Sequence, residues 1–214
     1  AKATLAALLA ALPKGESDWT AAEVTQARAR WRAEVDAERP GILAVCEALK
    51  AALPPDTCIF SDMTQFAYAA KEVWDMAEPG LWHHPFGFGT LGYALPAAIG
   101  GKVGLPDRPV VAIAGDYGLQ YTIQELGTAV ELGQPLPILV WDNGKLKEIE
   151  ESMMRSQIAP NAVIARNPDF LALARAWGAE AAEPANLPAL ADAIAKAMKA
   201  AGPTVIRMTP DLAS

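Results

Sequence analysis

The chain is short of cysteine, histidine and positive charge, and each shortage removes a class of function. Cys46 and Cys58 are its two cysteines. Each lies in or beside an apolar stretch and they form no CxxC pair, which excludes a disulfide framework or a zinc site. They read as reduced, buried thiols of a cytosolic protein. Lys plus Arg number 18 against 25 Asp plus Glu, a net charge of −7. Nucleic acid is therefore excluded as the main partner, because contact with phosphate chains needs a basic surface. No run of 18 apolar residues is free of charge or proline, so no membrane span is expected. Ala1-Lys2-Ala3 lacks an initiator methionine and the charged-then-apolar order of a signal peptide, and the chain reads as cut from a longer one.

What remains is enough for one domain with a real core: 214 residues, 52% hydrophobic and 20% charged. Residues 1–12 are rich in alanine and leucine and helical in character. A polar break covers Lys14 to Asp18. Thr20 to Glu38 is strongly charged and reads as a solvated helix, or an arm that packs on something else. Arg39-Pro40-Gly41 ends it. Residues 1–40 are thus expected to be an arm or linker, and residues 41–214 the domain. There the pattern alternates. Helices are expected over Ile42 to Leu53, Met63 to Asp75, Leu119 to Leu132, Pro168 to Trp177 and Leu187 to Ala201. Strands are expected over Thr57 to Ser61, Val110 to Ala114, Leu136 to Trp141, Ala179 to Ala182 and Thr204 to Met208. Strands apolar on both faces, alternating with helices, predict a three-layer α/β fold (αβα) with a mainly parallel, doubly wound sheet.

The informative stretch is Val110 to Glu151. One buried strand ends at Gly115 with Asp116 in the turn after it. A crossover helix leads to a second buried strand, followed by Asp142 and Asn143. A right-handed βαβ unit points both strands the same way, so Asp116 and Asn143 meet on one edge of the sheet. That edge is where open α/β sheets bind ligands. A carboxylate and an amide oxygen are hard ligands suited to Mg2+, with other positions left for water and phosphate oxygens. Gly115 and Gly118 allow close approach of backbone, and the N-terminus of the crossover helix favours an anion. A metal–diphosphate site fits this arrangement. Taken singly, Asp116 could be a helix cap and Asp142-Asn143-Gly144 a turn.

The order Gly-Asp-x, crossover, Asn-containing turn resembles the cofactor motif of thiamine-diphosphate-dependent enzymes, closest to the acetolactate synthase and 2-oxo-acid decarboxylase group. The resemblance covers roughly residues 40 to 210 in three blocks. In Asp62-Met63-Thr64-Gln65 it implies that Gln65 reaches the diphosphate, with Phe66 where many synthases carry a second polar residue. In the block Gly87 to Ala98 it implies binding around Gly89, Thr90 and Leu91. The Gly89 carbonyl and Leu91 N–H would take the aminopyrimidine, and the Leu91 side chain would wedge the cofactor into a bent shape. In the third block it implies metal ligation by Asp116, Asn143 and the Lys145 carbonyl, with Gly115, Tyr117 and Gly118 at the diphosphate. Asp142 replaces the first Asn of a common Asn-Asn pair, and Lys145-Leu146-Lys147 stands where Gly-Tyr-Gly is frequent; the lysines are expected to help neutralise the diphosphate.

The resemblance also implies that the cofactor carries the chemistry on a 2-oxo acid. The glutamate that activates it belongs to a separate pyrimidine-binding domain, usually of another subunit in a homodimer or homotetramer. Nothing ahead of residue 40 is long enough to be that domain, so no catalytic residue is expected here and the isolated chain is expected to be inactive.

Two other readings compete. Gly87-x-Gly89-x-x-Gly92 satisfies a dinucleotide fingerprint, with Asp116 placed to grip a ribose. A non-catalytic α/β interaction module with a decayed site is the other. Adjacent His83 and His84 point apart and are expected to be structural. Glu125 is expected at the surface. Glu148, Glu150, Glu151 and Arg155 form a solvated helix face, from which an acid could meet a cationic substrate such as 5-guanidino-2-oxopentanoate.

Overall fold

The computed structural model describes residues 1–13, 15, 18–76, 78–164 and 166–213. The expected break over Lys14 to Asp18 falls largely outside this set. In chain order the elements are α1 (Lys2–Ala11), α2 (Ala21–Glu38), α3 (Ile42–Ala52), β1 (Cys58–Ser61), α4 (Gln65–Val73), β2 (Trp82–His83) and α5 (Ala94–Gly104). They continue with β3 (Val110–Gly115), α6 (Asp116–Tyr121), α7 (Glu125–Leu132), β4 (Leu136–Trp141), α8 (Lys147–Arg155), α9 (Phe170–Trp177), β5 (Glu180–Ala182), α10 (Leu187–Ala197) and β6 (Pro203–Met208).

All strand pairings are parallel, in the order β2-β1-β3-β4-β6-β5. Alternate side chains divide the interior in two. Ile59, Val111, Ile113, Leu139, Trp141 and Ile206 join α3, α4 and α10. Cys58, Val110, Ala112, Ile138, Val140 and Val205 face α5, α7 and α9. This is the three-layer, doubly wound fold expected from strands apolar on both faces. Strand order reverses between β1 and β3, so the loops after them part to opposite sides and leave a crevice.

The crossover departs from the expected single helix over Leu119 to Leu132. It starts earlier, with Asp116 as the first residue of α6 rather than in a turn, and breaks between Tyr121 and Glu125. The break meets the turn at Gly92. Thr122 Oγ1 donates to the Gly92 carbonyl at 3.1 Å. A Cβ on Gly92, which holds φ +82°, would lie 2.9 Å from Tyr121 Cβ. A glycine turn seated against the crossover thus accompanies the interruption.

The N-terminal helices pack little. α1 buries no residue and α2 buries Val35 alone. A capping box starts α2: Thr20 Oγ1 accepts from Glu23 N–H and Glu23 Oε2 accepts from Thr20 N–H. Arg28 pairs with Asp75 and Arg32 with Glu47, tying α2 to the domain. Among the described residues no helix is long and apolar enough to cross a membrane.

Candidate active site

Asp116 and Asp142 follow the paired residues Gly115 and Trp141 on neighbouring strands, so Asp116 and Asn143 share the carboxyl edge as expected. A cavity of about 330 Å3 opens there, in the size range of small-molecule sites. Gln65, Gly89, Leu91, Gly115, Asp116, Tyr117, Gly118, Asn143 and Lys145 all line it. Thr90 does not; it is exposed, and its hydroxyl donates to the Leu91 carbonyl at 3.1 Å. A larger groove, about 930 Å3, runs along β5 and α10 and holds none of these residues.

Asp116 is buried, 3% exposed. Its Oδ1 accepts from Tyr117 N–H at 2.9 Å and its Oδ2 from Asn167 Nδ2 at 2.7 Å. The Tyr117 N–H is thus turned to its neighbour's carboxylate rather than to the cavity. Burial pushes the Asp116 pKa up, against the pull of the Asn167 and Tyr117 bonds. Among the described residues no basic side chain pairs with it. A desolvated carboxylate without a cation suits a metal ligand. Asn143 Nδ2 donates to Gln65 Oε1 at 3.2 Å and its Oδ1 accepts from Lys145 N–H at 3.2 Å. An amide oxygen has two lone pairs, so Asn143 keeps one for a cation, and Gln65 keeps its NH2 for an anion. The donor set fits a hard divalent cation beside a phosphate.

The lysines meet a different fate from the one expected. Lys145 Nζ lies 3.0 Å from Glu150 Oε2, and Lys147 Nζ 3.1 Å from Glu151 Oε1. Both are neutralised by carboxylates of α8, one turn on, leaving little of their charge for a diphosphate. Glu148 lines the cavity and accepts from Arg39 Nε at 3.4 Å.

Sequence reasoning passed over Asp62. It is 1% exposed and its oxygens accept three backbone N–H groups: Gly92 at 3.1 Å, Tyr93 at 2.7 Å and Ala94 at 2.8 Å. The end of β1 therefore caps the N-terminus of α5, which has no capping side chain of its own. Gly118 owes its identity to the same carboxylate: a Cβ there would lie 2.2 Å from Asp62 Oδ2. The Asp62 partners are some 30 residues away in the chain, so no local pattern announced the cap.

That cap also undoes the dinucleotide fingerprint. The fingerprint needs a free helix N-terminus to receive a pyrophosphate, and here a protein carboxylate already occupies it. The strand before Gly87 is only the two-residue edge strand β2.

The histidines have structural partners. His83 stacks on Phe60 with ring centroids 4.6 Å apart. Ser61 Oγ accepts from Trp82 Nε1 at 2.7 Å and pairs with His84 Nδ1 at 2.8 Å. Burial, then the charge of Lys71, lowers the His84 pKa to about 4. The unfolded chain takes that proton near pH 6.5 and the folded chain only near pH 4. Falling pH through this window therefore favours unfolding. The urea midpoint of the wild type is expected to drop further between pH 7 and pH 5 than that of His84→Gln; equal drops would show that His84 does not titrate differently on folding.

A six-stranded parallel sheet with a carboxylate–amide pair and a cleft at its switch point defines a diphosphate-cofactor-binding α/β domain. The family model "Thiamine pyrophosphate enzyme, C-terminal TPP binding domain" matches residues 62–208, and the chain belongs to this family. A protein named "Probable 2-ketoarginine decarboxylase" in Pseudomonas aeruginosa is 41% identical over 213 residues, 97% of this chain and 38% of its own length. An acetolactate synthase large subunit of Parasynechococcus marenigrum is 34% identical over 158 residues, 72% of this chain and 25% of its own. The chain thus spans well under half of the curated relatives it matches. Among solved structures, a thiamine diphosphate-dependent 4-hydroxybenzoylformate decarboxylase of Rhodococcus jostii superposes with a TM-score of 0.72 at 25% identity, covering 78% of this chain and 32% of that one. The acetolactate synthase and decarboxylase resemblance read from the three sequence blocks is borne out; the dinucleotide and interaction-module readings find no support.

Proposed function

We propose that the cavity at the carboxyl edge holds thiamine diphosphate and Mg2+ as the diphosphate-binding part of an enzyme acting on 2-oxo acids. The observation that carries this is Asp116: buried, unpaired with any described basic group, and beside Asn143 and Gln65 in one cavity. In this reading Asp116, Asn143 and the Lys145 carbonyl hold the cation. Gln65 and the backbone of Gly115 and Gly118 face the diphosphate, the Tyr117 N–H being taken by Asp116 Oδ1. Gly89 and Leu91 take the aminopyrimidine, Thr90 serving only to shape their turn. Thiamine diphosphate supplies a nucleophilic carbon and an electron sink for loss of carbon dioxide. This chain's residues bind and orient it, and the activating glutamate comes from a pyrimidine-binding domain of another subunit in a homodimer or homotetramer. The free, buried Cys46 and Cys58 suit a cytoplasmic setting.

The substrate reading is supported by Glu148, which lines the cavity with Arg39 Nε 3.4 Å from its carboxylate. A carboxylate on the cavity wall suits a 2-oxo acid with a cationic tail, and the Pseudomonas relative is named for such a substrate. Turnover of 5-guanidino-2-oxopentanoate, with the chain in an assembly that includes a pyrimidine-binding domain, should exceed that of an uncharged 2-oxo acid of similar length. Equal turnover would remove the assignment. The cofactor reading is tested by calorimetric titration of the chain. Heat is expected with thiamine diphosphate plus Mg2+, and none with NAD or with thiamine diphosphate in EDTA. Metal-independent binding, or NAD binding, would overturn it.

A further inference from the structure

Asp142 and Asn167 make an arrangement that the cofactor reading does not use. Asn167, in the loop before α9, donates from Nδ2 to Asp116 Oδ2 at 2.7 Å and to Asp142 Oδ1 at 2.8 Å. Its Oδ1 accepts from Gln120 Nε2 at 3.1 Å, and the same Nε2 donates to the Asp116 carbonyl at 3.1 Å. The amide orientation is fixed by this pattern, since the flipped amide would set its oxygen against two carboxylates. Asp142 is held from behind. Its Oδ2 accepts from Arg207 Nε at 2.7 Å, its Oδ1 also accepts from Gly144 N–H at 3.2 Å, and its own N–H donates to the Met208 carbonyl at 2.8 Å. Arg207 lies on β6, opposite Val140 of β4, and also pairs with Glu183. A continuous polar chain therefore runs from β6 through Asp142 and Asn167 to Asp116 at the cavity.

Two buried carboxylates side by side repel. Asp142 is neutralised by Arg207, while Asp116 receives only dipoles. The two N–H bonds of one amide bridge both acids and hold the Asp116 carboxylate at one rotation. We infer that Asn167 is a positioning residue for the metal site: it sets the direction in which Asp116 presents its free lone pairs, and Asp142 with Arg207 anchors it. Asp142, the departure from the Asn-Asn pair, is then the base of this chain rather than a ligand.

Orientation matters differently to different cations. Mg2+ demands near-ideal octahedral geometry, whereas Ca2+ tolerates irregular, expanded coordination. Loss of a group that orients a metal ligand typically costs about 10–100-fold in affinity. The inference rests on the proposed metal site, and the test separates the two. Mg2+ and Ca2+ are titrated into the protein at fixed thiamine diphosphate, for wild type, Asn167→Ala and Asn167→Ser, with urea unfolding as a control for the fold. Asn167→Ala is expected to weaken Mg2+ by about 10–100-fold and Ca2+ by much less, lowering the Mg2+ over Ca2+ preference. Serine, with one donor for two acceptors, should fall between, and carries the test if alanine does not fold. An unchanged Mg2+ affinity in a folded variant overturns the inference, as does an equal loss for both metals. A wild type that binds neither metal overturns the site itself and the inference with it.

Discussion

Asp116→Ala is expected to lower metal-dependent binding of thiamine diphosphate by at least about 100-fold, the upper end of what loss of a mere supporting residue costs. The side chain is the only carboxylate among the expected ligands, so its loss removes the formal charge placed to hold a divalent cation directly; Glu148, elsewhere on the cavity wall, is engaged with Arg39. A Mg2+ ion held by an amide and a carbonyl alone would give up hydration energy for little return. The fold should survive. Asp116 begins α6 but does not cap it, and its removal relieves the burial of a charge that no described basic group offsets. The urea midpoint is therefore expected to stay level or rise while the calorimetric signal disappears. A variant that binds as tightly as wild type would place the metal elsewhere.

Asp62→Ala should do the opposite: large damage to stability. Three backbone N–H groups at the start of α5 would lose their acceptor in a buried position. Each unmade bond costs about 1–3 kcal/mol, partly offset by no longer burying a charge that desolvation already penalises. A net loss of about 3 to 5 kcal/mol is expected, which is a large share of a domain's usual stability. Asp62→Asn separates the contributions. An amide oxygen in the Oδ1 position keeps the Tyr93 and Ala94 bonds and turns NH2 toward Gly92, so about half the loss is expected. Urea unfolding with an unchanged slope would measure both. Because Asp62 holds the turn that carries Gly89 and Leu91, cofactor binding should weaken even where the chain remains folded. A stability change under about 1 kcal/mol for Asp62→Ala would mean that water or another group satisfies those N–H groups.

What could be read in the sequence shares one property: it is local, or periodic. VVAIA and LPILVW declared buried strands by their unbroken apolar character, and strand–helix alternation then implied a parallel sheet. The right-handed crossover rule by itself carries Asp116 and Asn143 to one edge. The broken crossover was missed because Thr122 and Ile123 do not exclude a helix; the interruption coincides with a Gly92 turn 30 residues away. Glu150 and Glu151 were visible beside Lys145 and Lys147, but spacing alone does not say whether a lysine faces its helix or the cavity.

The sequence by itself determined the layered α/β fold and the meeting of Asp116 and Asn143 on one edge of the sheet, since hydrophobic periodicity and chain handedness act over a few turns of backbone. The tertiary structure alone decided what holds that pair. Asp62 reaching α5, Asn167 bridging Asp116 to Asp142, and Arg207 closing the chain from β6 are hydrogen bonds between segments far apart in sequence. Such bonds depend on which loops the sheet order brings side by side, and a polar residue in a loop looks the same in sequence whether it meets water or a buried carboxylate.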